Sequence, residues 1–473
     1  MEERKFDFGM IGLGVMGSNL LLNMADHEFA VIGYDKNIEK TKLLESSAKG
    51  NAIVKGVNTL PEMIAQLKTP RKLMMLVPAG SAVDSVIAEL QPLLKKGDII
   101  IDGGNSHYTD TLRRIKELRS SGFHFMGIGI SGGEEGARRG PSIMPGGDLE
   151  AYQEVAHILK AVAAKVNGEP CVGYLGKDAA GHYVKMVHNG IEYAIMQLIS
   201  ECYDLMHLGL HLSNEELAQV FKEWNSGEME SFLLEITAGI FTQKDDKGDG
   251  FLIDHILDKA GAKGTGKWTS QEGLDLPFPI PTIDAAVMMR NLSSFVEERA
   301  EADKLYRTSS LDIDISKEDF IKMLHDALYF ATLMSYAQGL AMLSAASNEL
   351  EMDIPMPEVI NVWRGGCIIR SALLGNFKNA YKNKDLKNLL LDKEIAEIVQ
   401  DKLPALQKII SLAAGNNFPA AGLMSAFNYF NAYRRRTLPT NLVQAQRDCF
   451  GAHTYQRNDM EGTFHTEWDN SGK

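Results

Sequence analysis

The chain has 473 residues, 45% of them hydrophobic and 23% charged, enough for two or three domains with sizeable cores. A formal charge of −13 and a pI near 5.5, with no basic run to offset them, argue against nucleic acid or an anionic membrane as the main partner. The four cysteines, Cys171, Cys202, Cys367 and Cys449, show neither pairing nor metal-ligand spacing, the opening MEERKFDF holds no signal-peptide core, and no stretch is apolar enough to span a bilayer; the expectation is a cytoplasmic protein with reduced thiols.

Phe6 to Ile11 reads as a buried strand, followed at once by Gly12, Leu13, Gly14, Val15, Met16 and Gly17 and then by an apolar helical pattern through Met24. This is GxGxxG between a strand and a helix: the first glycine allows the turn, the second lets backbone approach a pyrophosphate, and the third permits close helix–strand packing. The helix start then offers free N–H groups to phosphate. Further strand patterns at Ala30 to Tyr34, Leu73 to Val77 and Ile99 to Asp102 predict an α/β Rossmann-like domain with a mostly parallel, doubly wound sheet over about residues 1–178. Asp35 closes the second strand; it can accept ribose hydroxyls and repels a 2′-phosphate, which favours NAD, while the adjacent Lys36 could offset that repulsion. The glycine turns Asp102 to Ser106 (with Asn105) and Ser131 to Gly133 each follow an apolar segment. They are expected at strand carboxyl ends, where Ser131 and the N–H groups of Gly132 and Gly133 could form an anion nest.

From Gly181 to about Tyr433 the apolar spacing is helical, which predicts a large all-α domain over residues 179–433. Within Tyr183 to Ala194, Lys185, His188, Asn189 and Glu192 stand at i, i+3, i+4 and i+7, on one helix face. Taken alone, such a stripe favours a solvated or domain-bridging face over a polar cleft. The stretch repeats at Phe320 to Ala331 and VFKEWNSG repeats as VINVWRGG, offsets of 137 and 139 residues that imply a duplicated helical unit. The second copy replaces Asn189 by Asp326 and Glu192 by Tyr329. Asp258 to Thr269 reads as a glycine-interrupted basic loop whose Lys263 and Lys267 suit a phosphate or carboxylate, with Arg290 one helix further on. From Arg434 a tail rich in aromatics, His and Gly (434–473) reads as an extended arm that docks on something, another subunit being one candidate.

The strings GLGVMGSN, DGGNS, SGGEEGARRGPSIMPGG, KMVHNGIEYA, KGTGKW and RDCFGAHTY closely resemble decarboxylating 6-phosphogluconate dehydrogenase over nearly the whole chain. The resemblance implies oxidation of 6-phosphogluconate at C3, transfer of hydride to a nicotinamide, loss of CO₂ to give ribulose 5-phosphate, and no metal. By resemblance Lys185 is the base at the C3 hydroxyl and Glu192 the acid that protonates C1 of the enediol. His188 and Asn189 would hold substrate hydroxyls, Asn105, Ser131, Gly132 and Gly133 would surround the carboxylate end, and Tyr193, Lys263 and Arg290 the phosphate. Arg447 and His453 match tail residues that reach the neighbouring subunit's site, which implies an intertwined homodimer.

Two segments depart from the family's NADP-using pattern. Asp35, Lys36 and Asn37 stand where Asn-Arg-Thr is common, and Val77, Pro78 and Ala79 where Val-Lys-Ala is common. NADP is the family default, and both departures point toward NAD. The competing readings are another 3-hydroxyacid dehydrogenase of the wider superfamily, which does not generally carry the duplicated unit or HNGIEY, and a non-catalytic dinucleotide-binding protein, which should have lost Lys185 or Glu192.

Overall fold

The computed structural model describes residues 5–306 and 315–468. The first four residues of the N-terminal stretch and the last five of the tail lie outside the described residues. Backbone contacts divide the chain into two compact units, residues 1–426 and 427–473.

The first unit opens with seven strands: β1 (Phe8–Ile11), β2 (Val31–Tyr34), β3 (Val54–Val57), β4 (Lys72–Met75), β5 (Ile99–Asp102), β6 (His124–Ser131) and β7 (Ser142–Gly147). Their order is β3-β2-β1-β4-β5-β6-β7, with every pair parallel except β6–β7. Strands such as FGMI and IIID are buried at every position because helices cover both faces, as a parallel sheet requires. One apolar layer, around Leu20, Leu21, Val155 and Leu159, covers one face; the other, around Met63, Val83, Ile87 and Leu118, covers the opposite face. Sequence order reverses between β1 and β4, and a ligand crevice forms at such a switch point, outside the strand ends. The turns after β1, β4, β5 and β6 carry Gly12–Gly17, Val77–Ala79, Asn105 and Ser131–Gly133.

The helix Ala180–Asp204 lies against β6 and β7, and the long helix Lys317–Glu349 packs on it. This approach depends on Gly181: a Cβ there would sit 2.3 Å from the Gly127 carbonyl oxygen, 2.4 Å from that of Met144 and 2.6 Å from the Gly146 nitrogen. Since all three are backbone atoms of paired strands, the helix would have to lift. Gly181→Ala is therefore expected to cost about 2–3 kcal/mol by overpacking. Chemical denaturation checks this, and a wild-type midpoint would contradict the close docking.

The duplication appears as geometry. His188 meets the edge of Trp363, centroids 5.8 Å apart at 71°, and His325 meets Trp224 at 5.7 Å and 67°, so each copy's tryptophan contacts the other copy's histidine. In the second copy Asp326 pairs with Lys402 at 3.0 Å. The helical spans nearly coincide with the periodicity, although a π-helical turn, Leu205–Gly209, ends the first of them.

In the second unit, Thr440–Gly451 is a helix, so the tail is not an extended arm throughout. On this helix Asp448 gathers the chain that follows by accepting from the Thr454 and Thr466 N–H groups, the Trp468 indole and His465. Burial works against ionisation there, but these donors outweigh it and hold the Asp448 carboxyl down to about 2.

Candidate active site

At the dinucleotide turn, Gly12 has φ +93, and a Cβ on Gly17 would lie 2.0 Å from the Gly12 carbonyl oxygen, so both must be glycine. The helix Val15–Asp26 begins at Gly14 with no side-chain cap, which leaves first-turn N–H groups to a ligand. An exposed, uncapped, glycine-lined helix start at the switch point fits a pyrophosphate. Asp35 accepts from the Leu13 N–H at 2.8 Å and the Asn37 N–H at 2.9 Å, with Lys40 at 3.3 Å. Partial burial raises its pKa, yet these three contacts prevail and the carboxyl lies below its ordinary value. Lys36 is exposed and 3.6 Å from Glu89. Val77, Pro78 and Ala79 follow β4 beside this turn, the last two exposed.

Asp102 shapes the next turn by accepting from the Ser106 hydroxyl at 2.6 Å and the Gly104 N–H at 3.0 Å, with buried Arg114 behind it at 3.5 Å. Asn105, at the tip, is exposed.

The stripe on Ala180–Asp204 is not a solvated face. Lys185, His188 and Asn189 are only 6%, 0% and 8% exposed, and Glu192 is half-buried at the mouth. The sheet covers the stripe from one side, a tertiary fact that local periodicity does not carry. Lys185 Nζ lies 3.5 Å from His188 Nδ1, which is 3.8 Å from Glu192 Oε2. His188 Nδ1 is 3.0 Å from Asn189 Oδ1 and its Nε2 is 3.4 Å from Ser131 Oγ. A neutral imidazole with its proton on Nδ1 satisfies both contacts, since the amide oxygen only accepts and the hydroxyl can donate. Asn189 in turn donates to Thr265 Oγ1 at 3.0 Å.

Electrostatics drive the two ends of this row toward each other. Burial lowers the Lys185 ammonium from its usual value, with Glu192 opposing. Burial raises the Glu192 carboxyl, with Lys185 and Arg290 opposing. His188 is pushed well below the usual imidazole range by burial and by Lys185. An amine made less basic and a carboxyl made less acidic by burial, with an imidazole between them, are equipped to remove and return protons along a small substrate.

Arg290 stacks over the ring of Tyr193, the residue after Glu192, at 3.5 Å and donates to the Gly261 carbonyl at 3.3 Å; Lys263, two residues beyond Gly261, is exposed. Gly132 and Gly133 follow β6 at the start of the helix Gly133–Arg139. Arg447 and His453 belong to the second unit and are exposed; Arg447 donates to Gln444 at 3.1 Å and His453 meets Phe450 edge-on at 5.8 Å.

Residues 7–176 match the family described as the NAD binding domain of 6-phosphogluconate dehydrogenase, and residues 181–468 match its C-terminal domain. The chain belongs to the 6-phosphogluconate dehydrogenase family. It is 51% identical over 466 residues to the NADP(+)-dependent, decarboxylating 6-phosphogluconate dehydrogenase of Bacillus subtilis, covering 98% of this chain and 99% of that protein. It is 48% identical to the decarboxylating enzyme of Escherichia coli K12, with the same coverage. The structure of Plasmodium falciparum 6-phosphogluconate dehydrogenase, described in its apo form, with its cofactor NADP+ and with its substrate 6-phosphogluconate, superimposes with a TM-score of 0.95 at 45% identity over 98% of this chain and 100% of that one.

Sequence reasoning missed several neighbours of the row. The basic loop ends earlier than expected, because Thr265–Asp275 is helical. Thr265, Thr269 and Glu272 on it all face the Ala180–Asp204 helix; Thr269 donates to the Met186 carbonyl at 2.8 Å. Their i, i+4, i+7 spacing was a usable signal, hidden by the glycines of KGTGK.

Proposed function

We infer that the protein oxidises 6-phosphogluconate at C3 and decarboxylates it to ribulose 5-phosphate and CO₂, with NADP as coenzyme. The observation that carries this reading is the Lys185–His188–Glu192 row beside the dinucleotide crevice, its basic end made less basic and its acidic end less acidic by burial.

A bound nicotinamide dinucleotide supplies the hydride acceptor, held at Gly12–Gly17, Asp35–Asn37, Val77–Ala79 and Asn105. Neutral Lys185 takes the C3 hydroxyl proton as C3 becomes a ketone. The bond from C2 to the carboxylate then breaks; its electron pair forms the enediol, and the Lys185 ammonium protonates the former ketone oxygen. Glu192 delivers a proton to C1 of the five-carbon enediol while Lys185 takes back the hydroxyl proton. That proton returns to Glu192 past His188, and the acid and base are restored with no net proton change. His188, Asn189, Ser131, Gly132 and Gly133 line the hydroxyl and carboxylate end, and Tyr193, Lys263 and Arg290 the phosphate end. Arg447 and His453 complete this pocket from a second copy in a homodimer.

The division we favour is a dinucleotide-binding part to residue 178, a helical part to 433 and a tail, in a cytoplasmic enzyme. Among the described residues no helix is long and apolar enough to cross a membrane. Turnover in D₂O tests the chemistry: ribulose 5-phosphate should carry one deuterium at C1, and product without it would refute the protonation.

Lys40, 3.3 Å from Asp35, supports NADP, since its ammonium offsets that carboxylate against a 2′-phosphate, while Lys36 pairs with Glu89. Asp35→Asn removes that carboxylate charge, so kcat/KM for NADP relative to NAD should rise about tenfold, a change of about 1.4 kcal/mol. Steady-state kinetics with both coenzymes check this; an unchanged ratio would place Asp35 away from the 2′ position.

A further inference from the structure

Glu272 takes no part in the proton transfers, yet it is a carboxylate only 6% exposed at the junction of the sheet with the helical region. Its partners are two phenols from different segments: Tyr108 donates to one oxygen at 2.6 Å and Tyr183 to the other at 3.1 Å. Tyr108 opens the helix Tyr108–Ser120, directly after the turn that carries Asn105. Tyr183 is fully buried on the Ala180–Asp204 helix, two residues before Lys185. The two rings also meet edge-on, 4.9 Å apart at 71°, and next to them His107 meets Trp268 at 4.9 Å and 84°.

The contact has a register. Along Thr265–Asp275, Thr265 touches Asn189, Thr269 touches the Met186 carbonyl, and Glu272 touches Tyr183, so the two helices meet through three hydrogen bonds on one face. Glu272 is the member that also reaches across to the helix after β5. An apolar side chain could join these elements without burying a charge; a carboxylate is tolerated only when hydrogen-bonded, and in return it fixes direction as well as proximity.

We propose that Glu272 is a positioning residue: by holding Tyr108 and Tyr183 on its two oxygens, it sets the Asn105 turn, which faces the coenzyme, against the Lys185 helix, which holds the substrate. This rests on the reading of the active site given above. Each ligand binds largely to its own element, so loosening the latch misaligns the two and lowers kcat more than it raises either KM.

The test is steady-state kinetics of the full chain with Tyr108→Phe, Tyr183→Phe, the double variant, Glu272→Ala and Glu272→Gln. Each phenylalanine variant keeps the ring and loses one hydrogen bond; kcat should fall about tenfold for Tyr108→Phe, with KM for 6-phosphogluconate and NADP within about twofold. Glu272→Ala should match the double variant, and combining them should add nothing, as expected of one network. Glu272→Gln, which can accept from one phenol and donate to the other, should recover most of the rate. Wild-type kcat in both phenylalanine variants, with or without a lower Tm, would reduce Glu272 to a structural role, and losses confined to KM would also overturn the proposal. An inactive wild-type protein would refute the reaction assigned above and leave the latch to be judged by hydrogen exchange. In Tyr108→Phe the amides of residues 103–111 and 180–186 should then exchange several-fold faster, and unchanged exchange would overturn the latch.

Discussion

Lys185→Ala should lower kcat by about 10³-fold or more, within the range for loss of a general base, while the Kd for dinucleotide stays within about threefold. Lys185 lies in the row beside β6, whereas the coenzyme contacts assigned above are in turns at the ends of β1, β2, β4 and β5. Lys185→Arg should do little better, because a guanidinium stays protonated and cannot act as the base. The pH dependence follows from the same burial. The base must be neutral, so activity falls as pH drops through the Lys185 pKa, which burial has moved down from the ordinary lysine value. Full turnover in Lys185→Ala, measured beside dinucleotide binding by fluorescence, would remove the base from the scheme.

Glu192→Gln should reduce kcat about 10²-fold through the last step alone. Hydride transfer precedes that protonation, so a first turnover should still produce a near-normal burst of reduced dinucleotide before the slow steady state. The sign of its pH effect is opposite: the acid must be protonated, so activity falls as pH rises through the Glu192 pKa, which burial has raised. Wild-type kcat should therefore be bell-shaped in pH. Because Lys185 and Glu192 influence each other, the two limbs belong to the pair rather than to either residue. Replacing Glu192 by Gln should erase the alkaline limb and leave the acidic one. A burst that disappears along with the steady state, or a retained alkaline limb, would contradict the acid role.

Much of this arrangement was legible in the residues because local rules and tertiary structure agree. The strand–GxGxxG–helix unit, Asp35 at the end of β2 and the glycine turns after β5 and β6 all express the parallel sheet, whose strands are continuous apolar runs. The repeat was legible because two helices and two tryptophans keep their spacing, and the reciprocal histidine–tryptophan contacts show why. What escaped was set by tertiary context. β3 is the short edge strand Val-Lys-Gly-Val, half-buried and without the apolar run that marks its neighbours. β7, Ser-Ile-Met-Pro-Gly-Gly, holds a proline and two glycines, residues that seldom mark a strand, and it pairs antiparallel at the other edge. The Lys185 stripe looked like a surface because its polarity is visible in sequence, whereas the sheet that covers it is not. The rail of Thr265, Thr269 and Glu272 was masked by the glycines that precede it.

The most direct test of the assigned reaction is stoichiometry: purified protein with 6-phosphogluconate and limiting NADP, following reduced coenzyme by absorbance and CO₂ by trapping in one vessel. One CO₂ for each NADPH, with ribulose 5-phosphate as the sugar product, is the predicted result. Coenzyme reduction without CO₂, or no reduction with 6-phosphogluconate at all, would contradict it.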